Sequence, residues 1–301
     1  MGATTSPIMP QKAEQRMIDS FLATARPLSL ADRGLLHELA VGVFWPHRGR
    51  DLDLLLRLGR GYIATDEIGR AMGSTMAFES GEDFAFLGMM VVAPRLQAQG
   101  TGRWLLRLVL RDCGARDFRL TATKSGFPLY ESEGFVPQAL IRQHQGVARS
   151  IHLPDPVSGL ELRPLTAEDH PEILALDAHA YGASRPQMLE ALYEKSEGMV
   201  ALSGGKICGF ALMRNFGRGR VIGPIVAERD RIAMQMIAPL IQAHEGQFLR
   251  VDCPTESPVF EAFLAAAGLG VYDTVTEMSR GTHRRASQGP VTFGMASHSI
   301  G

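Results

Sequence analysis

A glycine-containing loop between a predicted strand and a predicted helix is the segment of this chain best suited to chemistry. The apolar stretch from Phe84 to Val92 runs into Pro94, and the loop Arg95-Leu96-Gln97-Ala98-Gln99-Gly100-Thr101-Gly102 follows. We predict a helix from about Thr101 to Cys113. The first amides of a helix lack intrahelical partners and carry the positive end of its dipole, and glycine lets a phosphate approach the backbone. The segment is therefore predicted to bind an anion.

Other known motifs do not fit this loop or the rest of the sequence. The P-loop pattern Gly-x-x-x-x-Gly-Lys followed by Ser or Thr is absent. A dinucleotide fingerprint needs a third glycine, whereas Gly100-Thr101-Gly102 continues into Arg-Trp-Leu. The chain also lacks His-Glu-x-x-His and Gly-x-Ser-x-Gly, and its nine histidines show no paired spacing. We expect no metal site.

The elements that position this loop belong to an internal repeat. The segment RPLSLAD from Arg26 to Asp32 returns as RPLTAED from Arg163 to Asp169, and each is predicted to begin a helix with Ser or Thr as its N-cap. Three later correspondences keep nearly the same offset, and they pair Met90–Leu110 with Gly223–Ile241, Asp117–Thr123 with Gln247–Pro254, and Tyr130–Phe135 with Phe263–Leu269. The sequence therefore predicts two copies of one unit, with a boundary near residue 150.

Each copy is predicted to contain a strand, a helix pair, antiparallel strands, a long strand, a helix, a strand, a helix and a final strand. This order favours an α/β (α+β) fold, with a mixed, mostly antiparallel sheet flanked by helices in each copy. The proline-containing stretch between the copies is typical of a linker. We predict an extension at 1–22, a first domain at 23–148, a linker at 149–159, a second domain at 160–280, and a tail at 281–301 that packs on the surface.

The two copies differ at the loop. The second copy reads Glu228-Arg229-Asp230-Arg231 where the first has its glycines. Carboxylates at a helix N-terminus repel phosphate, so the anion site is predicted in the first copy alone.

Composition limits the partners and the compartment. Lys and Arg total 31 against 32 Asp and Glu, so the net charge of -1 gives no general attraction for nucleic acid or an acidic membrane. Three widely spaced cysteines do not form a disulfide framework, and the amino terminus lacks the pattern of a secretory signal. These features indicate a cytoplasmic protein that binds neither nucleic acid nor membrane.

The motif Gln97-x-x-Gly100-x-Gly102 after an apolar strand, followed by Tyr130-x-x-x-Gly134-Phe135, resembles the GNAT superfamily of N-acetyltransferases. The segments ATKSGFPLYESEGF, GMMVVAP, GPIVA and DAHAYGASR are similar to bacterial tandem-GNAT proteins whose second domain is degenerate. The resemblance covers about residues 20 to 280. It implies two GNAT-like domains and acetyl-CoA as cosubstrate, bound by the first of them.

The resemblance also implies roles for individual residues. The Met90 amide would face the acetyl carbonyl, and Tyr130 would donate a proton to the departing thiolate, so these two are the expected catalytic groups. The Val92 backbone would pair with pantetheine, and the pyrophosphate would lie on the loop amides. The expected cofactor-binding residues are Met90, Val91, Val92, Gln97, Ala98, Gln99, Gly100, Thr101, Gly102, Arg103 and Tyr130.

The sequence departs from the family pattern at the general base. Where some members carry a glutamate, this chain has Phe86. Nearby acids in the preceding turn, Glu79, Glu82 and Asp83, either act through water or form a solvated hairpin, and the alternative is an amine that arrives already neutral. Between the first two helices, Trp45, His47 and Arg48 are candidate acceptor contacts, and core packing or a surface turn explains them equally well.

Two functions remain open at this point. The first is transfer of an acetyl or other short acyl group from CoA to a small-molecule or peptide amine by direct attack, without a metal. The alternative is a noncatalytic acyl-CoA-binding sensor or regulatory module. The missing carboxylate at Phe86 favours the sensor, and Tyr130 favours the enzyme.

Overall fold

The computed structural model describes residues 13–301, which form two copies of the predicted αβ unit. A short strand β1 (Glu14–Ile18) precedes the first copy. The first copy contains β2 (Phe21–Pro27), α1 (Arg33–Gly42), α2 (Gly49–Leu58), β3 (Arg60–Thr65), β4 (Ala71–Ser80), β5 (Phe84–Val92), α3 (Thr101–Cys113), β6 (Asp117–Ala122), α4 (Phe127–Ser132) and β7 (Val136–Val147).

The second copy repeats this order and confirms the predicted fold class. It contains β8 (Leu160–Pro164), α5 (His170–Tyr181), α6 (Pro186–Tyr193), β9 (Ser196–Ser203), β10 (Lys206–Phe216), β11 (Gly219–Ala227), α7 (Asp230–Ala243), β12 (Phe248–Cys253), α8 (Pro258–Ala266) and β13 (Gly270–Arg280), and β14 (Val291–Gly294) follows it. Strand β5 and helix α3 have the bounds expected from the sequence. Residues 1–12 of the predicted extension 1–22 lie outside the described residues.

The two repeated heptads fold identically at the start of each copy. Arg26 forms a bidentate pair with Asp32, with N–O distances of 2.9 and 2.6 Å. Arg163 forms the same pair with Asp169 at 2.7 and 2.7 Å. Each aspartate also accepts a hydrogen bond from a backbone amide three residues earlier, which fixes the chain at the entry to the helix.

The two copies exchange their last strands. Strand β13 of the second copy pairs with β6 and β7 of the first, and β7 pairs in turn with β12 of the second. The order across the sheet is β1-β2-β3-β4-β5-β6-β13-β7-β12-β11-β10-β9-β8. The described residues therefore form one continuous sheet, and neither copy completes its half without a strand from the other.

The hydrophobic core also crosses the boundary between the copies. One buried cluster contains Leu52 and Phe86 of the first copy together with Tyr181 and Phe210 of the second. A separate cluster lies around α7, where Ile237 is fully buried in the second copy.

The C-terminal segment, residues 291–301, is buried, so the expectation of a surface tail at 281–301 is wrong for this part, whereas residues 281–290 are exposed or half-buried. Its side chains Phe293, Met295, Ala296 and Ile300 are at most 4% exposed. Strand β14 adds to β11 of the second copy, and the residues after it run towards the first copy. Apolar and small residues pack here through backbone contacts, which the sequence pattern did not reveal.

No helix in the described part of the chain is long and apolar enough to span a membrane.

Because the strands are exchanged, we expect the two copies to unfold together. The two tryptophans, Trp45 and Trp104, both lie in the first copy, so their fluorescence reports that copy alone. Ile237→Ala in the second copy should lower the free energy of unfolding by about 2–5 kcal/mol, and the urea midpoints measured by tryptophan fluorescence and by far-UV circular dichroism should fall equally. The exposed Ile68→Ala is the matched control and should have little effect. An unchanged fluorescence midpoint in Ile237→Ala would show that the copies unfold independently.

Candidate functional site

A β-bulge at the middle of β5 opens the sheet of the first copy. Met76 pairs with Gly88 and Ser74 with Val91, so two residues, Met89 and Met90, face a single one on β4. Met89 has a positive φ of 49°, and its carbonyl oxygen accepts a hydrogen bond from Ser74 Oγ at 2.8 Å. Bulges re-aim a strand locally. The parallel pairing of β5 with β6 ends at Leu87 and Leu120, and the strands diverge beyond the bulge.

The glycine loop lies at the end of this diverging strand. Ala98 and Gly100 both have positive φ, 62° and 88°, and Gly100 is the left-handed N-cap of the 13-residue helix α3. Within the described residues, no hydrogen bond reaches the amides of Ala98, Gln99 or Gly100. These amides and the first amides of α3 form a ready site for an anion. The Gln97 side chain donates to the Val92 carbonyl oxygen at 3.2 Å.

One cavity of about 1120 Å³ connects the loop with the gap between the strands. Both copies contribute to its wall, which also carries the candidate acceptor residues Trp45, His47 and Arg48. Of the expected cofactor-binding residues, Gln99 and Thr101 are absent from the wall: Gln99 donates to the Arg95 carbonyl oxygen, and the Thr101 side chain is buried. The wall carries Met90, Val91, Val92, Gln97, Ala98, Gly100, Gly102, Arg103 and Tyr130.

The cavity is predominantly basic. It contains a single acid among the described residues, Asp273, which is exposed. Its arginines are Arg48, Arg103, Arg218, Arg220 and Arg250, of which the last three belong to the second copy. The sequence did not indicate that these three arginines belong to the site, because only the exchanged strands bring the second copy to the cavity.

Tyr130 lies on α4 at the floor of the cavity. It is 6% exposed, and its ring packs against Phe135 at a centroid distance of 6.0 Å. Burial raises the pKa of the Tyr130 hydroxyl well above its ordinary value, so the group stays protonated at neutral pH. It is therefore available as a hydrogen-bond donor.

Arg103, Arg107 and Arg111 recur every four residues along α3, and of the three only Arg103 lies at the cavity. Arg103 and Arg107 both pair with Glu133, at 3.2 and 2.9 Å, and Arg103 also donates to Ser132 Oγ. Arg103 lies on the cavity wall next to the loop, whereas Arg107 and Arg111 do not.

In the second copy, the equivalent gap is filled by the chain itself. Strand β14 pairs with β11 from Ile225 to Ala227, where the first copy has its open cleft. The carboxylate of Asp230 lies at the N-terminus of α7, where it accepts from the Arg231 amide at 2.7 Å and from Ser257 Oγ at 3.2 Å. The Asp230 carboxylate thus occupies the position at the N-terminus of α7 where an external anion would bind.

The acids suggested as water-mediated bases lie away from the cavity. Glu79 pairs with Arg60 at 2.6 Å, and Asp83 pairs with Arg284 at 2.7 Å. Neither these residues nor Glu82 lie on the cavity wall. Phe86 is fully buried beside Gly301 of the C-terminal segment.

His47 is buried, and its Nε2 lies 3.2 Å from Ser299 Oγ. Burial, aided by the nearby charges of Arg250 and Arg214, lowers the pKa of His47 to about 3. The imidazole is therefore neutral in the folded protein near pH 7. Residues 13–301 contain no group of three or more His, Cys, Asp or Glu side chains arranged to hold a metal ion.

Comparison with known proteins identifies the fold family. Residues 33–135 match the model of the acetyltransferase (GNAT) family, and residues 173–293 match that of an acetyltransferase (GNAT) domain. The chain belongs to the GNAT acetyltransferases. It carries two GNAT domains in tandem, as the motif resemblance implied.

Two curated relatives cover most of this GNAT chain. One is the uncharacterized N-acetyltransferase YitH of Bacillus subtilis (strain 168), 28% identical over 70% of this chain and 75% of the relative. Another is the holothin acyltransferase of Pseudoalteromonas sp. (strain SANK 73390), 23% identical over 77% of this chain and 79% of the relative. A proposed acetyltransferase from Pyrococcus horikoshii shares the fold with a TM-score of 0.75 and 18% identity, over 93% of this chain and 96% of its own.

The buried neutral His47 predicts how the stability of this GNAT protein depends on pH. Below pH 6.5 the unfolded state binds a proton at this residue and the folded state does not, so stability falls as the pH decreases. Between pH 6.5 and 5 the loss should be about 2 kcal/mol. His47→Gln should remove that part of the slope in urea unfolding at pH 7.5 and 5, while replacement of the exposed His152 by Gln should not. Equal slopes in parent and His47→Gln would contradict the neutral assignment.

Proposed function

We propose that this protein transfers an acetyl or other short acyl group from acyl-CoA to an amine, and that the first copy performs the reaction. The observation that best supports this proposal is the divergence of β5 from β6 at the bulge, over a cavity that reaches the glycine loop. A strand with an open edge offers backbone groups to an extended ligand, and the loop amides offer a site for its phosphates. These features suit CoA, whose pantetheine arm is extended and whose pyrophosphate is anionic.

In this proposal the pantetheine arm lies along β5 as an added strand, with the Val92 backbone as its partner. The Gln97 side chain, which donates to the Val92 carbonyl oxygen, moves aside when the arm binds. The pyrophosphate rests on the amides of Gln97 to Arg103, and the Arg103 guanidinium supplies a positive charge beside it.

The reaction is direct attack of the amine nitrogen on the thioester carbonyl carbon. The C–N bond forms, the C–S bond breaks, and CoA leaves as the thiolate. The Met90 amide at the bulge stabilises the developing oxyanion; a preorganised donor of this kind contributes about 3–4 kcal/mol in well-studied hydrolases. The Tyr130 hydroxyl donates a hydrogen bond to the thiolate.

The second copy serves as the wall of the acceptor side rather than as a second catalytic unit. Its own cleft is filled by β14, and Asp230 occupies the N-terminus of its helix. The acceptor is a small-molecule or peptide amine. The three free, buried cysteines agree with a reducing compartment, and we place the protein in the cytoplasm.

Two curated relatives named as an N-acetyltransferase and an acyltransferase support the enzyme over the alternative, an acyl-CoA-binding sensor. Release of CoA thiol from acetyl-CoA across a panel of amines separates the two functions. The enzyme requires amine-dependent release with at least one member of the panel, and a sensor binds acyl-CoA without it.

Calorimetric titration with CoA should give one site per chain, because the second copy has lost both the gap and the open helix N-terminus. Arg103→Ala should weaken the affinity about fivefold, equivalent to about 1 kcal/mol for an exposed phosphate contact. Arg107→Ala is the matched control, since it removes a contact to the same Glu133 and should leave the affinity unchanged. Two equivalent sites, or equal losses in both variants, would refute this placement of CoA.

Tyr130→Phe tests the donor to the leaving group. An ordinary phenol, with a pKa near 10, is already a weaker acid than a thiol near 8.5, and burial raises the pKa of Tyr130 further. Full proton transfer is therefore unfavourable, and the contribution is a hydrogen bond to the developing thiolate. We expect kcat to fall about 10²-fold, the lower end for acid–base groups, with unchanged CoA affinity. Tyr193→Phe, which alters a half-buried tyrosine outside the cavity, is the control. Turnover of Tyr130→Phe within about twofold of the parent would exclude the role.

A further inference from the structure

The proposed reaction requires a base, because an aliphatic amine near pH 7 is mostly an ammonium ion without a lone pair for attack. On β5, the position where some GNAT proteins carry a glutamate is Phe86, and this side chain is buried beside the C-terminal segment. The acids of the neighbouring turn are held in ion pairs outside the cavity. The base must therefore come from another element of the wall.

The C-terminal segment crosses the face of the sheet where β5 and β6 diverge. The Ser299 carbonyl oxygen lies so close to Gly88 that a Cβ at residue 88 would collide with it. Thr121 Oγ1 of β6 donates to the His298 carbonyl oxygen at 2.8 Å, and Ser299 Oγ lies 3.8 Å from Met89 Sδ. Residues 298 and 299 are thus fixed to both diverging strands, beside the bulge.

The His298 side chain is held on one side and open on the other. Its Nε2 is buried and lies within ion-pair distance of Asp252 Oδ1, at 3.3 Å, without a hydrogen bond of normal geometry, while the side chain as a whole is 20% exposed and forms part of the cavity wall. Among the described residues, no hydrogen bond reaches Nδ1. A carboxylate beside one imidazole nitrogen orients the ring, which leaves the other nitrogen to exchange a proton.

Asp252 is suited to this positioning role. It is fully buried, and Arg250 binds its carboxylate with N–O distances of 2.8 and 2.9 Å. Burial alone would raise the pKa of Asp252, but the charge and the hydrogen bonds of Arg250 outweigh it and hold that pKa well below its ordinary value. The carboxylate is therefore ionised at every pH at which the reaction would be measured.

The charged groups around His298 come from three other elements. Asp252 and Arg250 belong to β12, the neutral His47 to the loop between α1 and α2, and Arg214 of β10 donates to the Ala296 carbonyl oxygen at 2.9 Å. His47 is a poor base because its pKa is about 3. Asp273, the acid on the cavity wall, is exposed and accepts a hydrogen bond from the Thr274 amide.

We propose that His298, positioned by Asp252, is the general base that deprotonates the acceptor ammonium in the proposed acyl transfer. Nδ1 takes one proton from the ammonium, directly or through one water, and the freed lone pair forms the C–N bond. As the C–S bond breaks, the second proton of the nitrogen passes to the thiolate, with the Tyr130 hydroxyl as hydrogen-bond donor. His298 then returns its proton to solvent, so that acyl-CoA and ammonium give amide, CoA thiol and one proton.

The test uses the full chain, acetyl-CoA and an amine found active with the parent protein, with kcat/KM measured from pH 6 to 10. His298→Gln should lower kcat/KM at pH 7 by about 10²-fold, within the range for general bases, and the loss should shrink as the pH approaches the pKa of the amine itself. Activity of His298→Ala should recover partly with added imidazole. CoA affinity and the urea midpoint of His298→Gln should stay near those of the parent, and the exposed His152→Gln should behave as the parent.

Several results would overturn the proposal. Turnover of His298→Gln within twofold of the parent across the pH range excludes His298 as the base. A loss that is equal at every pH and that imidazole does not relieve makes it a structural residue. An ascending pH limb that persists in His298→Gln and disappears in Asp273→Asn assigns the base to Asp273. This inference rests on the proposed function: absence of amine-dependent release in the parent overturns both, whereas an active parent with an unaffected His298→Gln overturns the base alone.

Discussion

The backbone ladder that joins β6, β13, β7 and β12 holds the molecule together, and the candidate site depends on it. Each inner strand of this ladder is bonded on both sides by strands of the opposite copy. The exchange fixes the second copy beside the open half of the first, so that Arg218 and Arg250 stand on the same wall as Tyr130. Without this ladder, the first copy would have its glycine loop and open strand but would lack the part of the cavity wall that the second copy supplies.

A single geometric difference separates the two copies. In the first, the bulge at Met89 turns β5 away from β6 and leaves its edge open. In the second, β14 closes the corresponding edge of β11, and Asp230 satisfies the start of α7. The same unit thus has an open cleft in one copy and a filled one in the other, and the C-terminal segment contributes to both, because it fills the second cleft before it reaches the first.

The sequence alone predicted the local elements well. Strand β5 is an uninterrupted apolar run. Helix α3 begins beside two glycines and ends at Cys113. The bounds of both elements therefore follow from residues that are neighbours in the sequence. The exchange of β7 and β13 was not predictable, because strand pairing partners distant in sequence leave no local signal. The C-terminal segment was misread because Gly294, Ser297 and Ser299 resemble a surface tail; they are buried by backbone contacts rather than by large apolar side chains. The proximity of His298 to Asp252 was not predictable either, since Asp252 lies on β12, distant in sequence.

The exchanged strands also bear on the order in which the molecule is made. Strand β6 ends at Ala122 and its neighbour β13 begins at Gly270, about 150 residues later. At synthesis rates of about 5–20 residues per second, the edge of β6 waits about 7–30 seconds for its partner. During that interval one edge of β6 lacks its native partner, and an unpaired strand edge can pair with other chains. In a protein with this strand exchange, the risk of aggregation is greatest while the second half is being translated. Chaperones that shield nascent strands would act during that interval.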